Sequence, residues 1–554
     1  MADKTLRAKI RSLAQQLDIP HFRPGQLETM LQVLAGGDAL AIMPTGAGKS
    51  LCYQIPAQLL TGTTIVVSPL ISLMKDQHQK IISMGVTSQH LSSELTRKET
   101  RHAIEQLRQG KMDIQFVTPE KLENPEVLAA FRRAGVSLFV VDEAHCISEW
   151  GHDFRPAYLG LSRAVEALGH PPVLALTATA TPEVTRDIQE RLHFRKNSRV
   201  IRISYRRDNL ILKAREFRDD GEKQKLLLRL LERLCRAHDW SGIIYCSSVK
   251  QTEMLAEKLR NFGLTAFRYH GRMKKEERRL AQERFMNGKS VVMVATSAFG
   301  MGIDKPDVRF VINYQIPSSI ESYYQAMGRA GRDGKRAYGV LFYTSKDRAL
   351  QRVLQLRKYP TIEMVDRMIA AIFSFDLGSV ISQTQIESQA GKKKLGLMLK
   401  TLEKFSFLKM DGRKIKLVRK PSPLEVQSMI KHWEIRKTED QARLDEVVRY
   451  VRSHLCRWYY LLRYFGEDLQ EPCGYCDNCR KQLEKPVTSA STLSAGNYVQ
   501  HNEWGVGEVM KRIGPNLKIY FPGVGEKILR EAFIQPWLGH PSGNRTAPSG
   551  KKAA

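Results

Sequence analysis

The sequence predicts an α/β protein: two parallel-sheet lobes, followed by smaller modules of a different make. Three observations carry this. Short β-branched runs alternate with amphipathic stretches through the first 350 residues, the pattern of strands joined by covering helices. Beyond Arg348 the alternation stops. Cys456, Cys473, Cys476 and Cys479 then cluster, whereas Cys52, Cys146, Cys235 and Cys246 are scattered singly.

Strand candidates in the first lobe are Ala39–Met43, Thr64–Ser68, Ile114–Val117, Leu138–Val141 and Val173–Leu176. A second series comprises Gly242–Cys246, Thr265–Tyr269, Val291–Ala295, Val308–Asn313 and Tyr338–Phe342, with helices such as Lys223–Arg236 and Gln251–Phe262 between them. The polar stretch Arg206–Gly221 has no clean period and reads as the connection. Thr361–Phe375, Ile381–Ala390 and Lys392–Phe405 read as helices. A hairpin follows, Phe407–Met410 and Lys414–Val418 about an Asp411-Gly412 turn. Three helices closed by a basic hairpin make the winged-helix plan. A charged helix over Pro423–His454 leads into the cysteines. Thr488–Ala495 reads as a linker, Asn497–Trp537 as short strands with glycine turns, and the end as a disordered tail. The expected units are therefore 1–205, 206–350, 351–422, 423–485, 496–538 and 539–554.

With 42% hydrophobic and 26% charged residues over 554 positions, each unit can build an ordinary core, which excludes disordered and collagen-like classes. Lys and Arg number 87 against 58 Asp and Glu, a net charge of +29. So large an excess points to a polyanion, nucleic acid first, with a merely solubilising surface as the alternative. No run of ~18 apolar residues occurs, so no membrane span is expected. The first residues lack an apolar h-region and a cleavage site, so no export signal is expected either.

Ala39–Met43 runs into Pro44-Thr45-Gly46-Ala47-Gly48-Lys49-Ser50, a Walker A loop with Met43 in place of its first glycine. Small residues let backbone N–H groups converge on phosphate, Lys49 reaches the β- and γ-phosphates, and the Ser50 hydroxyl ligates Mg²⁺. Asp142-Glu143-Ala144-His145 ends another buried run. There Asp142 can hold Mg²⁺ and Glu143 can orient or deprotonate the attacking water. In the second lobe, Gln325-Ala326-Met327-Gly328-Arg329-Ala330-Gly331-Arg332 offers two arginines three apart. From the neighbouring lobe they could clamp a γ-phosphate. The reading is thus ATP hydrolysis by Lys49, Asp142, Glu143, Gln325, Arg329 and Arg332.

The C-x16-C-x2-C-x2-C spacing suits a closed, four-thiolate Zn²⁺ site, with an iron–sulfur cluster as the alternative. Arg452, Arg457 and Arg463 stand among aromatics around Cys456. They could form a duplex contact surface, or the aromatics could simply pack this module on the second lobe.

Taken together, the motifs resemble superfamily 2 helicases, and more closely the RecQ family of DNA helicases. The matching segments run in family order: Phe22–Gln26 (FRPGQ), Met43–Ser50, Val67–Gln77, Val141–Tyr158 (VDEAHCISEWGHDFRPAY), Leu176–Thr181, Gly242–Ser248, Ala295–Ile312 and Tyr323–Gly334. Arg463–Glu467 (RYFGE) and Glu471–Cys479 extend the match. The resemblance implies two RecA-like lobes that bind Mg²⁺-ATP between them, with Gln26 reading adenine, Arg23 supporting the nucleotide and Thr45–Ser50 cradling its phosphates. It places Asp304 at the ribose or the lobe interface. It gives Trp150, Phe154 and Arg155 to an aromatic-rich loop that senses single-stranded DNA. Thr177-Ala178-Thr179 would couple hydrolysis to strand movement. Ile19 stands where relatives often carry an adenine-stacking aromatic. Relatives often place the winged helix after the zinc module, whereas here the pattern precedes it.

Tyr498–Val509 resembles the Tudor- or SH3-like β-barrel that ends UvrD/PcrA-type helicases, a fold expected to bind a protein partner slightly ahead of nucleic acid. The basic wing has no aromatic at its tip, so phosphate contact is expected there. The implied function is an ATP-dependent 3′→5′ DNA helicase acting on single-stranded and forked DNA in repair or recombination, in the cytoplasm on the nucleoid. An RNA helicase or nucleic-acid-remodelling ATPase is the alternative.

Overall fold

The computed structural model describes residues 2–537 apart from 93, 111, 152, 237, 301–303, 392–393, 412–413, 470 and 484–492. The expected tail, most of the expected linker and the Gly412-Arg413 wing tip lie outside the described residues.

The first lobe is a seven-stranded parallel sheet: β1 Ala39–Ile42, β2 Thr63–Val67, β3 Ser88–Leu91, β4 Ile114–Val117, β5 Val136–Val141, β6 Val173–Thr177 and β7 Arg199–Arg202. Its order is β3-β4-β2-β5-β6-β1-β7. The second is six-stranded: β8 Leu210–Glu216, β9 Ser241–Tyr245, β10 Thr265–Tyr269, β11 Val291–Ala295, β12 Val308–Asn313 and β13 Ala337–Tyr343, in the order β10-β11-β9-β12-β13-β8. These central strands are buried along their whole length and mostly apolar because helices cover both faces.

The polar stretch read as a pure connection is corrected here. It contains β8, which pairs with β13 along its whole length. β3, β7 and β8 all went unread, and all three are edge strands. An edge is half-solvated, so its residues need not form the apolar run that marks a central strand.

After the lobes comes the winged-helix module. Helices Ile362–Ile372, Gln383–Ala390 and Leu395–Lys404 pack on β14 Val380–Ser382, β15 Leu408–Asp411 and β16 Lys414–Leu417, which pair antiparallel. The middle helix starts later than its pattern suggested. Ser382 caps it, accepting from Gln385 N–H while the Gln385 side chain returns to Ser382 N–H, so Val380–Ser382 stays free to join the sheet. The long helix runs Pro423–Arg452, opened by a Ser422–Glu425 capping box.

Downstream, β17 Tyr498–His501, β18 Gly505–Ile513, β19 Asn516–Phe521, β20 Gly525–Arg530 and β21 Gln535–Pro536 form one antiparallel sheet in the order β20-β19-β18-β17-β21. No described helix is long and apolar enough to cross a membrane.

Candidate active site between the lobes

The Walker loop follows β1 directly. Gly46 and Gly48 take φ of +85° and +77°, a backbone region costly to any residue with a Cβ. Ser50 then opens helix Leu51–Leu59, so that helix's positive end faces the loop. Gln26 Nε2 donates to Ala47 O at 3.0 Å and Gly48 O at 2.9 Å, and Arg23 Nη1 donates to Gly46 O. Arg23, Gln26 and Thr45–Ser50 are thereby gathered in one place.

Asp142 follows β5, and its N–H donates to Val67 O at 2.9 Å. Glu143 adopts a left-handed φ of +48°, a conformation that costs a non-glycine residue about 1–2 kcal/mol. Its Oε2 is buried without a well-formed hydrogen bond among the described residues, 3.3 Å from His145 Nδ1. Enclosure pulls the Lys49 ammonium below its ordinary value, against the opposing charges of Glu143 and Asp142. Desolvation, and next the Glu143 charge, pushes the Asp142 carboxyl up to about 7, with Lys49 opposing. Crowded, poorly solvated carboxylates are a donor set that a divalent cation relieves, so Asp142 with Ser50 fits Mg²⁺.

The second lobe completes the pocket. A Cβ added to Gly46 would stand 3.3 Å from Arg332 Cγ, and one on Gly328 would meet Thr45 Cβ at 3.1 Å. Arg332 is thus packed against the Walker loop of the opposite lobe. Its Nη1 donates to Asp304 at 2.8 Å, and Lys80 of the first lobe donates to the same carboxylate at 2.8 Å. Asp304 therefore lies at the lobe interface. The Lys80–Asp304 pair is more than half exposed, a class worth about 0–1 kcal/mol, so it ties the lobes together only weakly. Arg329 is directed elsewhere: it is buried and donates to Gly300 O within its own lobe. Gln325 is half-buried on helix Ile320–Met327.

His145 Nδ1 lies 3.1 Å from Thr177 Oγ1, which donates to Thr179 O at 3.0 Å. The carboxylate segment and the Thr177–Thr179 segment are hence in direct contact. Just beyond, Trp150 is 48% exposed, Phe154 lies 4.3 Å beneath the Arg436 guanidinium, and Arg155 donates to Pro69 O at 2.8 Å. Glu149 anchors this segment. It faces Lys404 at 2.6 Å, His432 at 3.4 Å, Arg191 at 3.5 Å and Arg436 at 3.8 Å. Burial opposes its charge, but Lys404 and the arginines hold the carboxyl below its ordinary value. Sequence reading missed Glu149 because its partners lie on distant helices.

The four clustered cysteine sulfurs lie within 4.8 Å of one another and are all buried. Backbone N–H groups of Cys473, Cys476 and Cys479 donate to Cys456, Cys473 and Cys476 Sγ at 3.2, 3.4 and 3.4 Å, and Arg457 N–H donates to Cys476 Sγ at 3.5 Å. Donors aimed at sulfur favour thiolates, the form a metal binds. The set fits Zn²⁺.

Comparisons with known proteins identify the domains in which these residues lie. Residues 23–188 match the DEAD/DEAH box helicase model, 222–334 the helicase conserved C-terminal domain, and 424–480 the RecQ zinc-binding domain. A probable ATP-dependent DNA helicase RecS of Bacillus subtilis is 40% identical over 359 residues, 64% of this chain and 71% of that protein. The chain belongs to the RecQ family of ATP-dependent DNA helicases.

Its RecQ relatives from B. subtilis and Pasteurella multocida are each 35% identical, over 84% and 85% of this chain. The chain spans 66% and 63% of their lengths. Among solved structures, Mss116p bound to ssRNA and AMP-PNP aligns with a TM-score of 0.53 at 19% identity, covering 71% of this chain and 86% of that one. Mycobacterium smegmatis helicase Lhr bound to ssDNA and AMP-PNP aligns at 0.50 and 20%, covering 76% and 61%. Likeness at that identity speaks for the two-lobed fold alone.

Within this RecQ chain, the arginines around Cys456 are tied into the fold. Arg452 pairs with Glu216 of β8 at 2.7 Å, buried Arg457 with Asp477 at 3.0 Å, and Arg463 donates to Trp504 O at 2.7 Å. Trp458 is fully buried and donates to Leu210 O at 3.2 Å. The aromatics here pack the zinc module on the second lobe. The C-terminal sheet is docked in turn on the zinc module: Val506 N–H donates to Tyr459 OH at 2.8 Å, and buried Glu446 accepts from both Tyr460 and Tyr520.

Proposed function

We propose that this RecQ-family chain unwinds DNA by moving 3′→5′ along single-stranded DNA, powered by ATP bound between its lobes. The observation that carries the reading is Arg332 of one lobe packed against Gly46 of the other. A γ-phosphate on the Walker loop lies within reach of a cation on the moving lobe, so hydrolysis and lobe movement are one event. Lys49 and the loop N–H groups bind phosphate, Asp142 and Ser50 hold Mg²⁺, and Glu143 takes the proton of the attacking water. Gln26 and Arg23 orient the base side of the nucleotide, and Asp304 releases or holds Arg332 as the lobes move. Gln325 stands on the second-lobe helix that leads to this arginine loop, and Arg329 braces the loop from within its own lobe.

Trp150, Phe154 and Arg155 report DNA to this pocket through the short path from the loop to His145 and Thr177. The curated relatives are named DNA helicases, which favours DNA over the RNA alternative. Forked DNA, nucleoid association in the cytoplasm and a protein partner on the C-terminal sheet belong to the same proposal. The sheet's solvent side carries the exposed Met510, Ile513 and Ile528.

The test is strand displacement with ATP on 3′-tailed, 5′-tailed and RNA duplexes of equal sequence. The 3′-tailed DNA should be displaced at least about tenfold faster than the others, about 1.4 kcal/mol of discrimination. Equal rates on 3′ and 5′ tails would remove the polarity, and equal rates on RNA the DNA assignment.

A further inference from the structure

The segment joining the lobes holds contacts that neither phosphate binding nor zinc binding explains. Tyr205 is fully buried. Its hydroxyl donates to Ala180 O at 3.0 Å and accepts from Ala180 N–H at 3.2 Å, one residue past Thr179. Its ring stacks on Phe465 at 4.4 Å, and its N–H donates to Glu467 at 3.0 Å, both residues of the zinc module. Its carbonyl accepts from Tyr324 OH at 2.8 Å, on the helix that ends at the arginine loop.

Two residues on, Arg207 donates through Nη1 to Gly328 O at 2.8 Å and through Nη2 to Ala330 O at 2.8 Å and Gly331 O at 2.6 Å. Asn209 Nδ2 adds Gly331 O at 2.8 Å and Lys335 O at 2.9 Å. Gly331 takes φ of +59°, and a Cβ there would meet Asn209 Nδ2 at 2.6 Å. The next residue is Arg332.

We propose that the connector Tyr205–Asn209 is a positioning arm: Arg207 and Asn209 set the loop that presents Arg332, and Tyr205 ties that loop's placement to the Thr177–Thr179 segment and the zinc module. A planar guanidinium that satisfies three carbonyls fixes the loop backbone in a way that a single point charge cannot. The arm sits where the chain crosses between lobes, so a change in lobe angle is transmitted to the loop through the groups that shape it. Arg207 is a positioning residue: it touches the backbone of Gly328, Ala330 and Gly331, which lead into Arg332, and Asn209 holds the far side at Lys335.

This inference rests on the helicase reading above. The experiment compares DNA-stimulated ATP hydrolysis by full-length wild type, Arg207→Ala and Arg207→Lys. Misplacing Arg332 should lower kcat on the order of 10²-fold in Arg207→Ala. KM for ATP should stay within about twofold, because the Walker loop's own contacts are untouched. Arg207→Lys should recover little, and millimolar guanidinium should partly restore Arg207→Ala.

A folded Arg207→Ala chain with wild-type kcat, or with a raised KM alone, overturns the arm while leaving the helicase reading intact. A wild-type chain without DNA-stimulated hydrolysis overturns both. If Arg207→Ala does not fold, Asn209→Ala removes two of the loop contacts and is judged by the same kcat and KM split.

Discussion

Replacing Lys49 with alanine should cut DNA-stimulated ATP hydrolysis about 10²–10³-fold and strand separation with it, as expected when one preorganised donor to developing charge is lost. The ammonium sits in the loop beside Asp142 and Glu143, and enclosure already disfavours its charge. An anionic phosphate is the partner that makes a charged lysine favourable there. Removing it leaves the carboxylates facing the phosphates with less opposing charge, so nucleotide binding weakens as well. Phosphate release measured with saturating single-stranded DNA checks this. A Lys49→Ala chain that still unwinds DNA at the wild-type rate would remove the loop from the mechanism.

The second large effect falls on the zinc module. Cys476→Ser should reduce bound zinc from about one per chain to none and unfold the segment around residues 453–480. A structural Zn²⁺ contributes roughly 10–16 kcal/mol of apparent binding energy to its site, as much as a whole domain's stability of about 5–15 kcal/mol. Cys476 accepts N–H groups from Cys479 and Arg457, and neighbouring Asp477 accepts from Ala214 N–H of β8 at 3.2 Å. Loss of the site therefore frees the module from the second lobe and the C-terminal sheet from the module. Metal analysis together with limited proteolysis reads both. Full zinc content and unaltered cleavage in the variant would contradict the four-thiolate assignment.

Much of this was legible in the residues, and the reasons differ from part to part. The Walker loop, the carboxylate pair and the cysteines are local: their chemistry depends on neighbours within a few positions, so spacing exposes them. Central strands were legible because burial on both faces forces a continuous apolar run, whereas β3, β7 and β8 at the edges carry Gln89, Arg199 and Lys213 without conflict. Arg207, Asn209 and Glu149 were silent for another reason. Each acts on groups more than a hundred residues away, and a polar side chain that bonds to distant backbone leaves no period. Arg329 shows the limit of the motif itself: two arginines three apart share a segment, yet only Arg332 reaches the other lobe.

The central claim is a nucleotide pocket made by both lobes, and Arg332→Ala tests it most directly. Binding of a fluorescent ATP analogue and steady-state hydrolysis are measured on the same protein with single-stranded DNA present. The account predicts affinity within about tenfold of wild type and hydrolysis reduced by roughly 10³–10⁵, the range of an arginine finger. Hydrolysis at the wild-type rate in the folded variant would contradict it.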